Sequence, residues 1–113
     1  MNERGVIAEK QAAQFLLDQG MVILETNWHC RFGEIDLIAQ HGQTLVFVEV
    51  RQRRSARYGG AAASITPAKC ARLLAASQHY LATLSTQPPC RFDAVLIEAG
   101  RLSWLQNCIE EAF

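Results

Sequence analysis

The chain has 113 residues, half of them hydrophobic, with eleven basic and eleven acidic residues and a formal net charge of zero. That length and composition suit one domain, residues 1–113, with a real core, and they exclude a disordered chain or a uniformly basic tail. The charge is unevenly spread: nine of the eleven bases are arginine, four of those fall between positions 51 and 57, and no acid occurs over residues 50–92. A neutral protein can therefore carry a positive face.

Cys30, Cys70, Cys90 and Cys108 are widely spaced and form no C-x-x-C pair. They read as reduced, mostly buried thiols of a cytoplasmic protein rather than a disulfide framework. Residues 1–5 lack the apolar core of a signal peptide. No apolar run approaches the roughly 20 residues of a membrane helix, so no membrane partner is expected.

The first predicted element is a helix over residues 5–19, ended by Gly20. Lys10, Gln11, Gln14 and Asp18 share its polar side, and Ala12, Ala13, Leu16 and Leu17 define the apolar one. Glu9 projects with the apolar group. The helix dipole favours an acid so near the N-terminus, but does not explain that angular position. Residues 21–25 form a short β-prone run, and residues 27–33 a loop or hairpin bend. Residues 34–40 are a second strand, with Ile35, Leu37 and Ala39 on one face and Glu34, Asp36 and Ile38 on the other.

A glycine turn over residues 41–44 leads to a third strand, 45–53. Val46, Val48 and Val50 point one way, and Leu45, Phe47, Glu49 and Arg51 the other. Both faces start apolar, so this strand is predicted to be central and covered on both sides. Residues 55–64 read as a mobile glycine-containing loop. Thr66 is the expected N-cap and Pro67 the first residue of a helix running to about residue 83. Cys70, Leu73, Leu74, Ser77, Tyr80 and Leu81 form its inner stripe, Lys69 sits at the stripe's edge, and His79 lies on the outer face. After Pro88-Pro89, residues 91–98 form a fourth strand and 102–105 an edge strand. The order αβββαβ(β) predicts an α/β fold, a mixed β-sheet with helices on both faces.

Three acids stand where apolar residues are expected: Glu9 on a helix stripe, and Asp36 and Glu49 on core strands. An unpaired buried carboxylate is costly, so such acids are either internally paired or held for chemistry. Magnesium takes oxygen ligands and commonly uses one or two carboxylates plus water and phosphate, which Asp36 and Glu49 could supply if the strand register brings them together. Residues i and i+2 of a strand share a face, so Arg51 reaches the same place as Glu49. The competing bland reading is a buried ion pair of Asp36 and Glu49 with Arg51 or Arg53. Asp93 is expected to bond Arg91 or a backbone group. His29 and Cys30 are adjacent but lack a second ligand pair at zinc spacing.

These residues resemble a known pattern. Gly5, Ala8 and Glu9, Asn27, the run Gly33-Glu34-Ile35-Asp36-Leu37-Ile38, then Phe47-Val48-Glu49-Val50-Arg51 with Arg53, Gly59, Lys69 and Arg91-Phe92-Asp93 are similar to the YraN-like family of small bacterial proteins. That family is placed in the PD-(D/E)xK nuclease superfamily and is related by analogy to archaeal Holliday-junction resolvases. The resemblance implies a restriction-endonuclease-like core and a possible metal-dependent hydrolysis of DNA phosphodiesters, the DNA being branched or repair-related. It assigns Glu9, Asp36, Glu49 and Arg51 to catalysis, with Asp36 and Glu49 as ligands of Mg2+ or Mn2+, and suggests a homodimer. Arg31, Arg53, Arg54, Arg57 and Lys69 are the expected nucleic-acid contacts.

One position departs from the superfamily pattern. Its lysine falls at Arg51, and a guanidinium, protonated at any working pH, cannot replace a compact ammonium in every role. Two other functions therefore fit the same residues: a catalytically inactive nucleic-acid-binding module, and a protein-interaction scaffold with a structural salt-bridge cluster. Lys69, on the facing helix, is the candidate for supplying the missing ammonium.

Overall fold

The computed structural model describes residues 3–54 and 60–109. The element order is α1 (Glu3–Asp18), β1 (Val22–Cys30), β2 (Gly33–His41), β3 (Thr44–Arg53), a 3-10 turn at Ala62–Ser64, α2 (Pro67–Leu81), β4 (Cys90–Glu98) and β5 (Arg101–Leu105). Five strands form one sheet in the order β1-β2-β3-β4-β5. All neighbours are antiparallel except β3 and β4, which run parallel over Leu45–Arg53 and Cys90–Glu98 because α2 carries the chain back between them. The fold is thus mixed α/β, with the predicted fifth strand present.

Each face of the sheet buries one helix. Ala8, Ala12 and Leu16 of α1 pack on Leu37, Val46, Val48, Val50, Val95 and Ile97. On the opposite face, Leu73, Ala76 and Leu81 of α2 pack on Ile35, Ile38, Leu45, Phe47 and Phe92. Fully burying a side chain such as Phe47 or Phe92 contributes roughly 1.5–3 kcal/mol. The alternation of β3 sorts its side chains between these two cores as its sequence pattern predicts, and β3 is the middle strand.

α2 starts as expected: the Thr66 hydroxyl accepts a hydrogen bond from Lys69 N at 3.2 Å, and Pro67 opens the helix. Ala99 and Gly100 form a two-residue turn between β4 and β5, with φ of 49° and 79°. Two positive φ values in succession match the twist of a tight hairpin.

Four expectations need correction. β1 extends through Cys30, so Asn27–Cys30 belongs to a strand and the bend shrinks to Arg31-Phe32. Pairing with β2 reaches the end of the hairpin, at Cys30↔Gly33, and holds Trp28, His29 and Cys30 in the strand. Leu17 is 47% exposed, because Ala8, Ala12 and Leu16, flanked by Ala13 and Phe15, form the face of α1 that packs on the sheet. The cysteines are free thiols, three half-buried and Cys108 exposed, rather than mostly buried. Finally, Ile35 and Leu37 do not share a face: Ile35 joins the core under α2, and Leu37 the core under α1. The loop with Arg57, Tyr58 and Gly59 lies outside the described residues.

Candidate active site

The break in β2 alternation falls at Asp36. The β2–β3 ladder runs from His41↔Thr44 to Leu37↔Val48 and stops there, while β2 keeps pairing with β1 to Gly33. At the next step Asp36 Oδ2 accepts a hydrogen bond from Val50 N at 2.8 Å, in place of a ladder bond. A side chain has replaced a main-chain acceptor, and the two strands part. The gap opens into a cleft of about 430 Å³, lined among others by Glu9, Glu34, Asp36, Glu49, Arg51 and Lys69. The N-terminal part of α1 and that of α2 approach this gap from opposite faces of the sheet.

Three acids meet in the cleft. Glu9 from α1 adjoins Asp36 of β2 there. Burial pushes the Glu9 carboxyl up to about 7, reinforced by repulsion from Asp36 and Glu34 and opposed by a hydrogen bond from the Asn27 side chain. Burial also pushes Asp36 up, against the pull of the Val50 N–H, Lys69 and Arg51. Burial again, then the charge of Asp36, raises Glu49 to about 7 although two cations oppose the shift. Desolvation is the leading cause for each acid.

Glu49 has the ion pair with Arg51 that the bland reading expected, and Lys69 of the facing helix joins it. Lys69 Nζ lies 3.1 Å from Glu49 Oε1, and Arg51 Nη1 lies 3.4 Å from the same oxygen. Glu49 is almost wholly buried. Arg51 is not free to turn fully toward the cleft. Its Nε donates to Ser64 Oγ at 2.8 Å, Ser64 Oγ donates to Ala61 O at 2.6 Å, and Ala61 N donates to Glu98 Oε1 at 2.7 Å. Arg51 therefore ties the base of the following loop to β3. Gly60 sits at the end of that chain with φ of 64°, and a Cβ there would collide with the Glu98 carboxylate. The ammonium that lines the cleft belongs to Lys69 of α2.

Of the other expected contacts, Arg53 lines the cleft, exposed, with Nη1 donating to Gln52 O at 2.8 Å. Arg54 is exposed on a neighbouring hollow with Ala99 and Gly100, outside the acid cleft. Arg31 lies over the Phe32 ring, 4.7 Å from its centroid, away from the three acids. Three residues of the site had no role assigned from the sequence, although Asn27 was among those carrying the resemblance. Asn27 holds Glu9 from β1 and has φ of 50°, a conformation asparagine tolerates better than most residues. Gln52 lines the cleft with a buried, unbonded amide oxygen. Arg72 lines a second opening onto Asp36 and Glu49. Arg72 left a spacing signal as well, three residues after Lys69 on one helix face.

Among the described residues no three His, Cys, Asp or Glu side chains form a ready-made metal cage. The donor chemistry nevertheless fits a hard divalent cation bound through one or two carboxylates. Asp36 and Glu49 supply only oxygen, line an open cleft, and are both pushed up by burial, Glu49 to about 7. A cation can take the place of a proton on such a carboxylate.

Asp93 lies elsewhere and is structural. It is fully buried and accepts from Arg91 Nε and Nη2, Trp104 Nε1 and Asn107 N, so it meets both expected kinds of partner.

A family model described as "Uncharacterised protein family UPF0102" matches residues 8–97. A UPF0102 protein of Nitrosomonas eutropha is 55% identical over 109 residues, covering 96% of this chain and 94% of that protein. One of Nitrosomonas europaea is 53% identical over 112 residues, with 96% and 95% coverage. One of Psychromonas ingrahamii is 46% identical over 112 residues, with 97% and 92% coverage. The match spans Glu9, Asp36, Glu49 and Lys69 together, and the chain belongs to the UPF0102 family, the one its residues resembled as YraN-like.

Proposed function

We propose that the protein hydrolyses DNA phosphodiesters with the help of Mg2+ or Mn2+, on a restriction-endonuclease-like core of the PD-(D/E)xK type. The observation that carries this reading is the meeting of Glu9, Asp36 and Glu49 in one open cleft, with the Lys69 ammonium 3.1 Å from Glu49. Three mutually repelling, desolvated acids destabilise a fold unless something gains from them. Asp36 and Glu49 would hold the cation, which supplies phosphate polarisation and a more acidic attacking water. Glu9, with its carboxyl near 7, can accept a proton at neutral pH. Lys69 places a compact positive charge where negative charge grows on the phosphate. Arg53 on the rim fits a neighbouring phosphate.

The test is cleavage of plasmid and branched DNA with added manganese, comparing wild type with Asp36→Ala and Glu49→Ala. Wild-type cleavage reduced at least about a hundredfold in both variants is the expected result. Equal residual cleavage in all three proteins sinks it. The engagement of Arg51 with Ser64 favours a second reading, a binding module without chemistry. DNA binding retained by Asp36→Ala, together with no cleavage by wild type under any metal, would select that reading.

A further inference from the structure

A second opening of about 210 Å³ leads from the acids along α2, past Arg72, to Gly33 at the β1–β2 turn. Helix and turn come close there: a Cβ on Gly33 would lie 3.6 Å from the Arg72 Cβ. Lys69, Arg72 and His79 are spaced i, i+3 and i+10 on α2. At about 100° per residue they fall within one quadrant, so the α2 wall of this lane is a cationic and imidazole stripe.

Next to Gly33 in that turn is Phe32. It is 39% exposed, and among the described residues it is the aromatic member of the exposed large hydrophobic set. A single exposed apolar side chain is ordinary. Its surroundings are less so. The His79 ring stands edge-on 5.8 Å from the Phe32 ring, and the Arg31 guanidinium lies over that ring at 4.7 Å. Trp28 backs the cluster, 6.0 Å from His79 and edge-on to Tyr80 at 5.2 Å. From the carboxylates the opening passes Lys69 and Arg72 to Gly33, and beyond Gly33 lies the Phe32 ring with the Arg31 guanidinium over one face.

We propose that this lane holds an unpaired DNA strand leaving the cleft, with one base stacked on Phe32 and the backbone phosphates along Lys69, Arg72 and Arg31. The inference rests on the nucleic-acid reading of the cleft and narrows it to substrates with a single-stranded arm. A π platform favours this class, because bases inside a duplex already stack on each other and offer no free face. Cations spaced along a groove track a backbone, and one aromatic contact suits any base, so the lane accepts a strand without regard to sequence.

The experiment measures anisotropy of a labelled short oligodeoxythymidine and of a blunt duplex of equal length, in chelator, with wild type, Phe32→Leu, Arg72→Gln and Asp36→Ala. Phe32→Leu keeps the bulk and removes the π face. It should weaken the single strand about tenfold and the duplex less than about twofold. Arg72→Gln should weaken the single strand and lower the salt dependence of its binding by roughly one charge. Asp36→Ala should bind at least as well as wild type. Equal losses for strand and duplex, or no loss in Phe32→Leu, overturn the lane. If that happens while wild type still cleaves DNA and Asp36→Ala does not, the nuclease reading stands without it. If wild type binds neither probe at any salt, the lane fails, and the cleavage test alone decides the nuclease reading.

Discussion

Glu49 is the residue whose surroundings decide the site's chemistry. Its carboxylate is buried under α2, and its nearer cation is Lys69, at 3.1 Å against 3.4 Å for Arg51. Removing Lys69 as Lys69→Met leaves a desolvated carboxylate with one long contact to a guanidinium that also serves Ser64. The Glu49 carboxyl, already at about 7, should rise further. The consequence depends on pH. At about pH 5 Glu49 is protonated in the folded state and Lys69→Met costs little, whereas at about pH 8 an unpaired buried charge costs roughly 1–3 kcal/mol. Urea unfolding of both proteins at the two pH values checks this, and an equal loss at both would show that Lys69 acts through packing alone. The sequence could nominate Lys69 only as a substitute cation. Its place beside Glu49 depends on how α2 lands on the sheet, which no local spacing encodes.

At the scale of the element, β4 and β5 are locked by one side chain. Asp93 Oδ1 accepts from Arg91 Nε at 3.0 Å and Asn107 N at 2.9 Å, and Oδ2 from Arg91 Nη2 at 3.2 Å and Trp104 Nε1 at 2.9 Å. The replacement Asp93→Asn keeps the shape, but it turns an acceptor into a donor facing donors and leaves Arg91 uncompensated. Breaking such a buried pair costs about 3–5 kcal/mol, visible as a lower urea midpoint and a changed Trp104 fluorescence. The strands themselves were largely readable: Val46, Val48 and Val50 against Leu45 and Phe47 assign both faces of β3 by period alone. The pattern failed at Asp36, where a carboxylate takes over a ladder bond and Ile35 moves to the other core. Strand periodicity presumes an unbroken ladder, so it could not show the parting of β2 and β3 that creates the cleft. The place of Asn27 beside Glu9 was hidden for a related reason, since a strand residue at φ of 50° escapes any two-residue period.

For the whole molecule, the three acids join stability to pH and to cations. The folded-state values of Glu9 and Glu49, both about 7, lie above the ordinary 4.5 of an unfolded glutamate. Between about pH 4.5 and 7 the folded protein therefore holds protons that the unfolded chain has released. Their stabilising effect is complete below the unfolded value and is lost as pH rises through the folded one. Each acid can change stability by at most roughly 1.4 kcal/mol per pH unit, and the half-exposed Glu9 by less because solvent screens it. In chelator, the unfolding temperature should fall from about pH 5 to about pH 8, opposite in sign to a protein held by salt-bridged carboxylates. Glu9→Gln should flatten part of that slope by removing one titrating acid and its repulsion of Asp36. Added Mn2+ should raise the unfolding temperature at about pH 8, where the carboxylates are ionised, and have little effect at about pH 5, where protons compete. Calorimetric scans across pH, with chelator and with Mn2+, check both halves. A profile that rises with pH in chelator would mean that Lys69 and Arg51 compensate the acids fully. In that case the cluster would be an internal ion-pair network rather than a site waiting for a cation.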